Sequence, residues 1–214
     1  MQANPEKAAA LRQLLAARFP TRQLRAGGSV PTGIASLDAA LEGGLAAGRL
    51  TELVSAPSGG GQLVLARILG ATRTRRLRMA LVDGGDGFTP NGIPADHLRH
   101  LVWVRCRKLG EALAAADVLI RDANYGVVAV DLRGTNEREL RKVAGPTWYR
   151  IQRAAEDSGV AVMIQTAAPV VPAVAWRMML TARWDGAAAK YPRDVLAERL
   201  AVEPLRRRIG EAVG

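Results

Sequence analysis

Three places in the chain carry residue types that could do chemistry on an anion. The first is the run Ser58-Gly59-Gly60-Gly61-Gln62, which lies between an apolar stretch, Leu50–Val54, and a helical stretch over about 61–72. A glycine-rich loop ahead of a helix presents backbone N–H groups and the positive helix end to a phosphate. The second is Asp131, which closes the apolar run Val127–Asp131. The third is Gln165, which closes Val160–Gln165. These residues define a candidate nucleotide-binding set: Ser58, Gly59, Gly60, Gly61 and Gln62 in the loop, with Asp131 and Gln165 beside it. The same loop also reads as a plain tight strand-to-helix turn, and Asp131 as a turn or capping residue. Asp83 and Asp86 end a further run, Met79–Asp83 and its Gly84-Gly85 extension. No metal site is expected, since the chain has one cysteine, Cys106, and two histidines, His97 and His100. Cys106 reads as a buried, inert thiol at a strand end.

Positioning these residues requires strands that end together. Short apolar runs occur at Leu50–Val54, Met79–Asp83, Leu101–Val104, Val127–Asp131 and Val160–Gln165, with helical stretches over about 61–72, 109–123 and 146–158. Buried strands alternating with helices predict an α/β fold with a mostly parallel central sheet flanked by helices. A further strand over Met178–Trp184 is expected at the sheet edge, then a helix over Lys190–Leu200 and a basic tail, Glu203–Arg208. Ahead of the core, Asn4, Pro5 and Glu6 signpost an N-terminal helix whose Leu11, Leu14 and Leu15 share one face. The chain thus divides into a helix and linker (1–27), a core (28–188), and a C-terminal helix and tail (189–214).

Lys and Arg number 30 against 20 acids, a net charge of +10, and only four of the 30 are lysine. That excess points to an anionic partner, with nucleic acid first; a high-GC genome is the alternative source of so many arginines. Arg73, Arg75, Arg76 and Arg78 form the densest internal cluster and are candidate phosphate contacts, as are Arg206, Arg207 and Arg208. Aromatic residues make up 4% of the chain, too few for a base-stacking surface. No apolar run approaches the ~20 residues of a membrane span, and the N-terminus lacks a signal-peptide pattern. A cytoplasmic protein is expected.

The segment Pro31-Thr32-Gly33-Ile34-Ala35-Ser36-Leu37-Asp38, continuing through Leu41, Gly43-Gly44-Leu45 and Gly48-Arg49-Leu50-Thr51-Glu52, resembles the RecA/RadA recombinase core, with its T-G-x-x-x-L-D-x-x-L-x-G-G-L-x-x-G-R-x-T-E pattern. The likeness spans roughly residues 28–185 and implies a RecA-like fold. Asp131 then matches the metal-side aspartate of the Walker B strand, and Gln165 the sensor glutamine. The chain departs from the family at the catalytic positions. Gln62 stands for the loop lysine, Leu63 for the Thr or Ser that holds magnesium, and Gly85 for the glutamate that polarises water, with Asp86 one residue late. These departures from the family therefore imply no ATP hydrolysis, no catalytic residues, and no nucleotide cofactor. The second DNA loop is reduced to Thr166–Pro172.

Among shortened RecA-like proteins the chain is similar to the ImuA group, on the N-terminal helix ahead of the T-G-x-x-x-L-D segment, Leu101-Val102-Trp103-Val104-Arg105-Cys106 and Trp148-Tyr149-Arg150. That resemblance implies a non-hydrolysing scaffold in damage-induced translesion synthesis, binding an error-prone Y-family-type polymerase relative (ImuB-like) and DNA. The Leu11, Leu14 and Leu15 face could dock a partner, pack on its own core, or mediate self-association. Two other readings stay open: a SulA-like division inhibitor, and a divergent DNA-dependent ATPase using Asp86 and Asp131.

Overall fold

In a computed structural model of the protein, the structure describes residues 27–172, 174–181 and 188–207. The helix expected around Leu11, Leu14 and Leu15 lies outside these residues, as do Trp184 and Arg208. In chain order the elements are β1 (Ser29–Val30), α1 (Ala35–Ala40), β2 (Leu45–Ala46), β3 (Leu50–Val54), α2 (Gly61–Thr74), β4 (Met79–Asp83), α3 (Ala95–Leu98), β5 (Leu101–Arg105), α4 (Leu109–Arg121), β6 (Val127–Asp131), α5 (Glu137–Arg141), α6 (Gly145–Ser158), β7 (Ala161–Thr166) and β8 (Trp176–Leu180). A short 3-10 turn (Ala188–Lys190), α7 (Arg193–Glu198) and β9 (Val202–Arg207) follow.

The central sheet has seven strands in the order β5-β4-β6-β7-β3-β8-β9. Every neighbouring pair is parallel except β8 and β9. Strands β3, β4, β6 and β7 are buried along their whole length, as sheet strands covered on both faces must be. Alternation then sends successive side chains into two separate cores. Met79, Leu81, Val127 and Ala129 join Leu65, Ile68 and Leu69 of α2 on one face. Ala80, Val82, Val128 and Val130 join Ala112 and Ala116 of α4 and Trp148 and Ile151 of α6 on the other. The long helices begin and end where local chemistry dictates. Pro146 sits in the first turn of α6, and Gly159 closes that helix in the left-handed region at φ +72°.

Two C-terminal expectations are corrected. β8 stops at Leu180 and is not the sheet edge, because β9 pairs with it antiparallel. The segment read as a basic tail is that edge strand: Arg177 lies opposite Arg206 and Trp176 opposite Arg207. Pro204, which cannot donate to a ladder, is accommodated beside a register irregularity between Arg177 and Met178. The helix expected over Lys190–Leu200 is shorter, Arg193–Glu198, since Pro192 starts it and Leu200 belongs to the core.

Candidate functional site

Parallel strands place the C-terminal ends of β3, β4, β6 and β7 together, and the loops leaving those ends form the site. The approach to it is braced by the Thr32-Gly33-x-x-x-Leu37-Asp38 segment. One carboxylate oxygen of Asp38 accepts hydrogen bonds from the Thr32 amide (2.6 Å) and hydroxyl (2.7 Å), and the other accepts from the Gly33 amide (3.2 Å). Gly33, at φ +79°, turns its carbonyl to Arg67 Nε of α2 at 2.9 Å. The Gly43-Gly44 turn brings β1 and β2 together so closely that a Cβ on Gly44 would lie 2.3 Å from the Val30 carbonyl oxygen.

After β3 the chain turns through Ser58-Gly59-Gly60 into α2. Gly60 is left-handed at φ +94° and serves as the N-cap, a conformation glycine adopts without penalty. The Gly59 amide donates to Ala56 O at 2.8 Å, closing the turn. Gln62, at the position expected to carry a lysine, donates its side-chain amide to the carbonyl of Gly87 beyond β4. Gln165, fully buried, donates Nε2 to Gly61 O at 3.1 Å, while its Oε1 and the nearby Ser55 hydroxyl have no hydrogen-bond partner.

The residue that organises the site is Arg133, which the sequence places only within a charged stretch after β6. It turns inward. Its Nε donates to Asp131 Oδ1 at 2.9 Å and its Nη2 to Oδ2 at 2.5 Å, with both side chains about 5% exposed or less. Nη1 reaches the carbonyl of Pro57 at 3.4 Å. A Cβ on Gly61 would come within 2.3 Å of the same Nη1. The guanidinium thus lies against the first residue of α2, directly over the glycine loop. The one trace of this in the sequence is the spacing Asp131-x-Arg133; β6 ends at Asp131, and the turn that follows brings Arg133 back onto it.

The other carboxylates are also engaged. Asp83 is fully buried and accepts from the amides of Gly87 (2.9 Å) and Phe88 (3.1 Å) and from Trp103 Nε1 (3.3 Å). Asp86, in the left-handed region at φ +51°, is exposed and bidentate with Arg105, whose hydrogen bonds hold its carboxyl below the usual carboxylate range. It faces an open cleft of about 690 Å³ at the ends of β4, β5 and β6, lined also by Gly84, Arg107, Lys108, Thr135 and Glu139. Burial pushes the Cys106 thiol up, away from the thiolate a nucleophile needs.

The structure joins Ser58–Gln62, Asp131 and Gln165 into one site. It keeps the arginine cluster apart from it. Arg75, Arg76 and Arg78 lie where α2 ends and β4 begins, at the opposite end of the sheet, separated from the loop by the fourteen-residue helix, about 21 Å of rise. Arg73 in that cluster is bidentate with Asp96, Nε at 2.7 Å and Nη2 at 2.9 Å. Arg206 and Arg207 lie in the backbone of β9, at the far edge of the sheet.

The chain is similar in structure to the RadB recombinase: TM-score 0.58 and 17% sequence identity, over 71% of this chain and 82% of that one. The fold is therefore RecA-like. No family model matches the sequence, and no curated protein matches it. No helix among the described residues is long and apolar enough to cross a membrane.

Proposed function

We propose that this chain is a non-hydrolysing RecA-like accessory protein of damage-induced translesion DNA synthesis, a scaffold for an error-prone, Y-family-type polymerase partner. The observation that carries the reading is the split fate of the family's parts. The architectural ones are intact: the Thr32–Gly33–Asp38 brace, the Gly44 turn and the buried Glu52. The turnover parts are replaced: Gln62 bonds a carbonyl, Leu63 has no hydroxyl, and Asp131 is neutralised by Arg133. Phosphoryl transfer depends on positioned cations around the phosphates; here the loop carries no lysine, and the guanidinium beside it, Arg133, is paired with Asp131. The finer placement, with ImuA-type proteins, rests on the sequence alone: Leu101–Cys106, Trp148–Arg150 and the helical pattern around Leu11, Leu14 and Leu15 ahead of the brace.

A recombinase role, as in the name of the structural neighbour, fits less well. The connection from β7 to β8 is short, and the amides of Val170 and Val171 are tied to Glu52 at 2.9 and 3.2 Å. That leaves no long loop to enter DNA. Direct DNA contact by Arg75 and Arg76, exposed where α2 ends, is part of the proposal, with the half-buried Arg78 beside them.

The test is co-purification of the full chain with its translesion polymerase, alongside a Mg-ATP turnover assay with and without single-stranded DNA. Complex formation without turnover is expected. Turnover abolished by Asp131→Ala would overturn the scaffold reading, and filamentous cells on expression without polymerase binding would favour a division inhibitor.

A further inference from the structure

We infer that Arg133 is the built-in occupant of the glycine loop: it orders the loop without a ligand and shuts it against Mg-ATP. The inference deepens the non-hydrolysing reading above and rests on it. Both carboxylate oxygens of Asp131 accept guanidinium hydrogens, at 2.9 and 2.5 Å, so its charge, which would attract a magnesium ion, is already neutralised in a nearly buried pair. The third nitrogen reaches the loop itself through Pro57 O. Gly61 has no side chain where any Cβ would strike that nitrogen, at 2.3 Å. A cation at a helix N-terminus is unfavourable by itself; the Asp131 charge offsets it, and the pair is nearly sealed from water. The loop is then tied from two further sides, by Gln165 to Gly61 O and by Gln62 to Gly87 O. Three side chains, from the ends of β6 and β7 and from α2, hold what a nucleotide holds in an active loop.

The electrostatics close the site as well as the sterics. An entering polyphosphate would have to displace Arg133 from Asp131. That splits a buried ion pair, which is strongly unfavourable, and leaves a bare carboxylate facing the anion. The loop itself carries no lysine to offset that repulsion.

Hydrogen exchange on the 214-residue chain tests this without relying on activity. The hydrogen-bonded loop amides, Gly59 to Ala56 O and Leu63 to Gly60 O, are expected to exchange slowly, with no change on adding millimolar Mg-ATP. In Arg133→Lys, which keeps the charge but loses the bidentate fork, they are expected to exchange about tenfold faster or more. The central strands should keep their protection. Arg133→Ala should show a larger effect, with circular dichroism reporting whether it folds; the lysine variant and the wild-type arm decide the matter if it does not. Slowed loop exchange in wild type with Mg-ATP would overturn the inference, as would unchanged loop exchange in Arg133→Lys. Failure of polymerase co-purification would sink the scaffold reading alone and leave these exchange results standing.

Discussion

Arg177 Nε lies 2.5 Å from Oε2 of the fully buried Glu52, and its Nη2 reaches on to the carbonyl of Val171 at 2.6 Å. The other oxygen of Glu52 accepts from the Thr166 hydroxyl and from the amides of Val170 and Val171. One carboxylate on a central strand therefore ties the end of β7 to Val170 and Val171 beyond it and satisfies their backbone amides. Arg177→Ala strands that charge. The expected loss is about 3–5 kcal/mol of folding stability in urea titration, with Arg177→Lys intermediate. A loss below about 1 kcal/mol would mean the pair carries none of this.

The Asp38 brace makes a second, local prediction. Asp38→Ala removes three acceptor contacts from the Thr32 and Gly33 amides and the Thr32 hydroxyl. By analogy with lost caps, about 1–2 kcal/mol should go, read by chemical denaturation. Asp38→Asn keeps one acceptor oxygen and should lose less. Equal losses would indicate that the hydrogen-bond geometry is irrelevant.

Glycines at two sites should respond in opposite directions. Gly44 combines φ +118° with a Cβ position 2.3 Å from the Val30 carbonyl oxygen. Gly44→Ala must therefore strain the backbone and push β1 off β2, destabilising by roughly 2 kcal/mol or more. Gly110, near the start of α4, has nothing within 4 Å of its Cβ position. Gly110→Ala should stabilise by about 0.5–1 kcal/mol. Thermal unfolding of the two variants side by side checks both signs.

The contrast between these residues shows what a sequence can disclose. Strands β3, β4, β6 and β7 were readable because each is a short, mostly apolar run between turn residues, and their shared parallel direction followed from the helices between them. The gathering of Ser58–Gln62, Asp131 and Gln165 followed in turn. Glu203-Pro204-Leu205 with its arginines was not readable as a strand, because a proline and a charge run mimic a solvated tail and its pairing with β8 is long-range. Arg133 was hidden differently. Its neighbours Glu137, Arg138, Glu139 and Arg141 describe an exposed helix face, and only the inward turn after β6 separates it from them.

His100 supplies the pH-dependent prediction. Its Nε2 lies 2.9 Å from the Thr72 hydroxyl, which also bonds the carbonyl of Ile68 at 2.8 Å. A hydroxyl has one proton; if it goes to Ile68, the ring must donate from Nε2, and Nδ1 is left buried without a partner. Charging the ring would add a proton at that unpartnered nitrogen. Burial above all, with Arg73 and His97 adding like charge, lowers the His100 pKa below its ordinary value. The unfolded chain thus binds this proton more readily than the folded one. The site's full stability is present above the unfolded pKa, about 6.5, and is lost progressively as pH falls from there through the folded value. In urea titrations between pH 7.5 and about 5, wild type should lose stability more steeply than His100→Gln, which cannot charge. Parallel slopes for the two proteins would show that His100 titrates alike in both states and that its place beside Thr72 exerts no control.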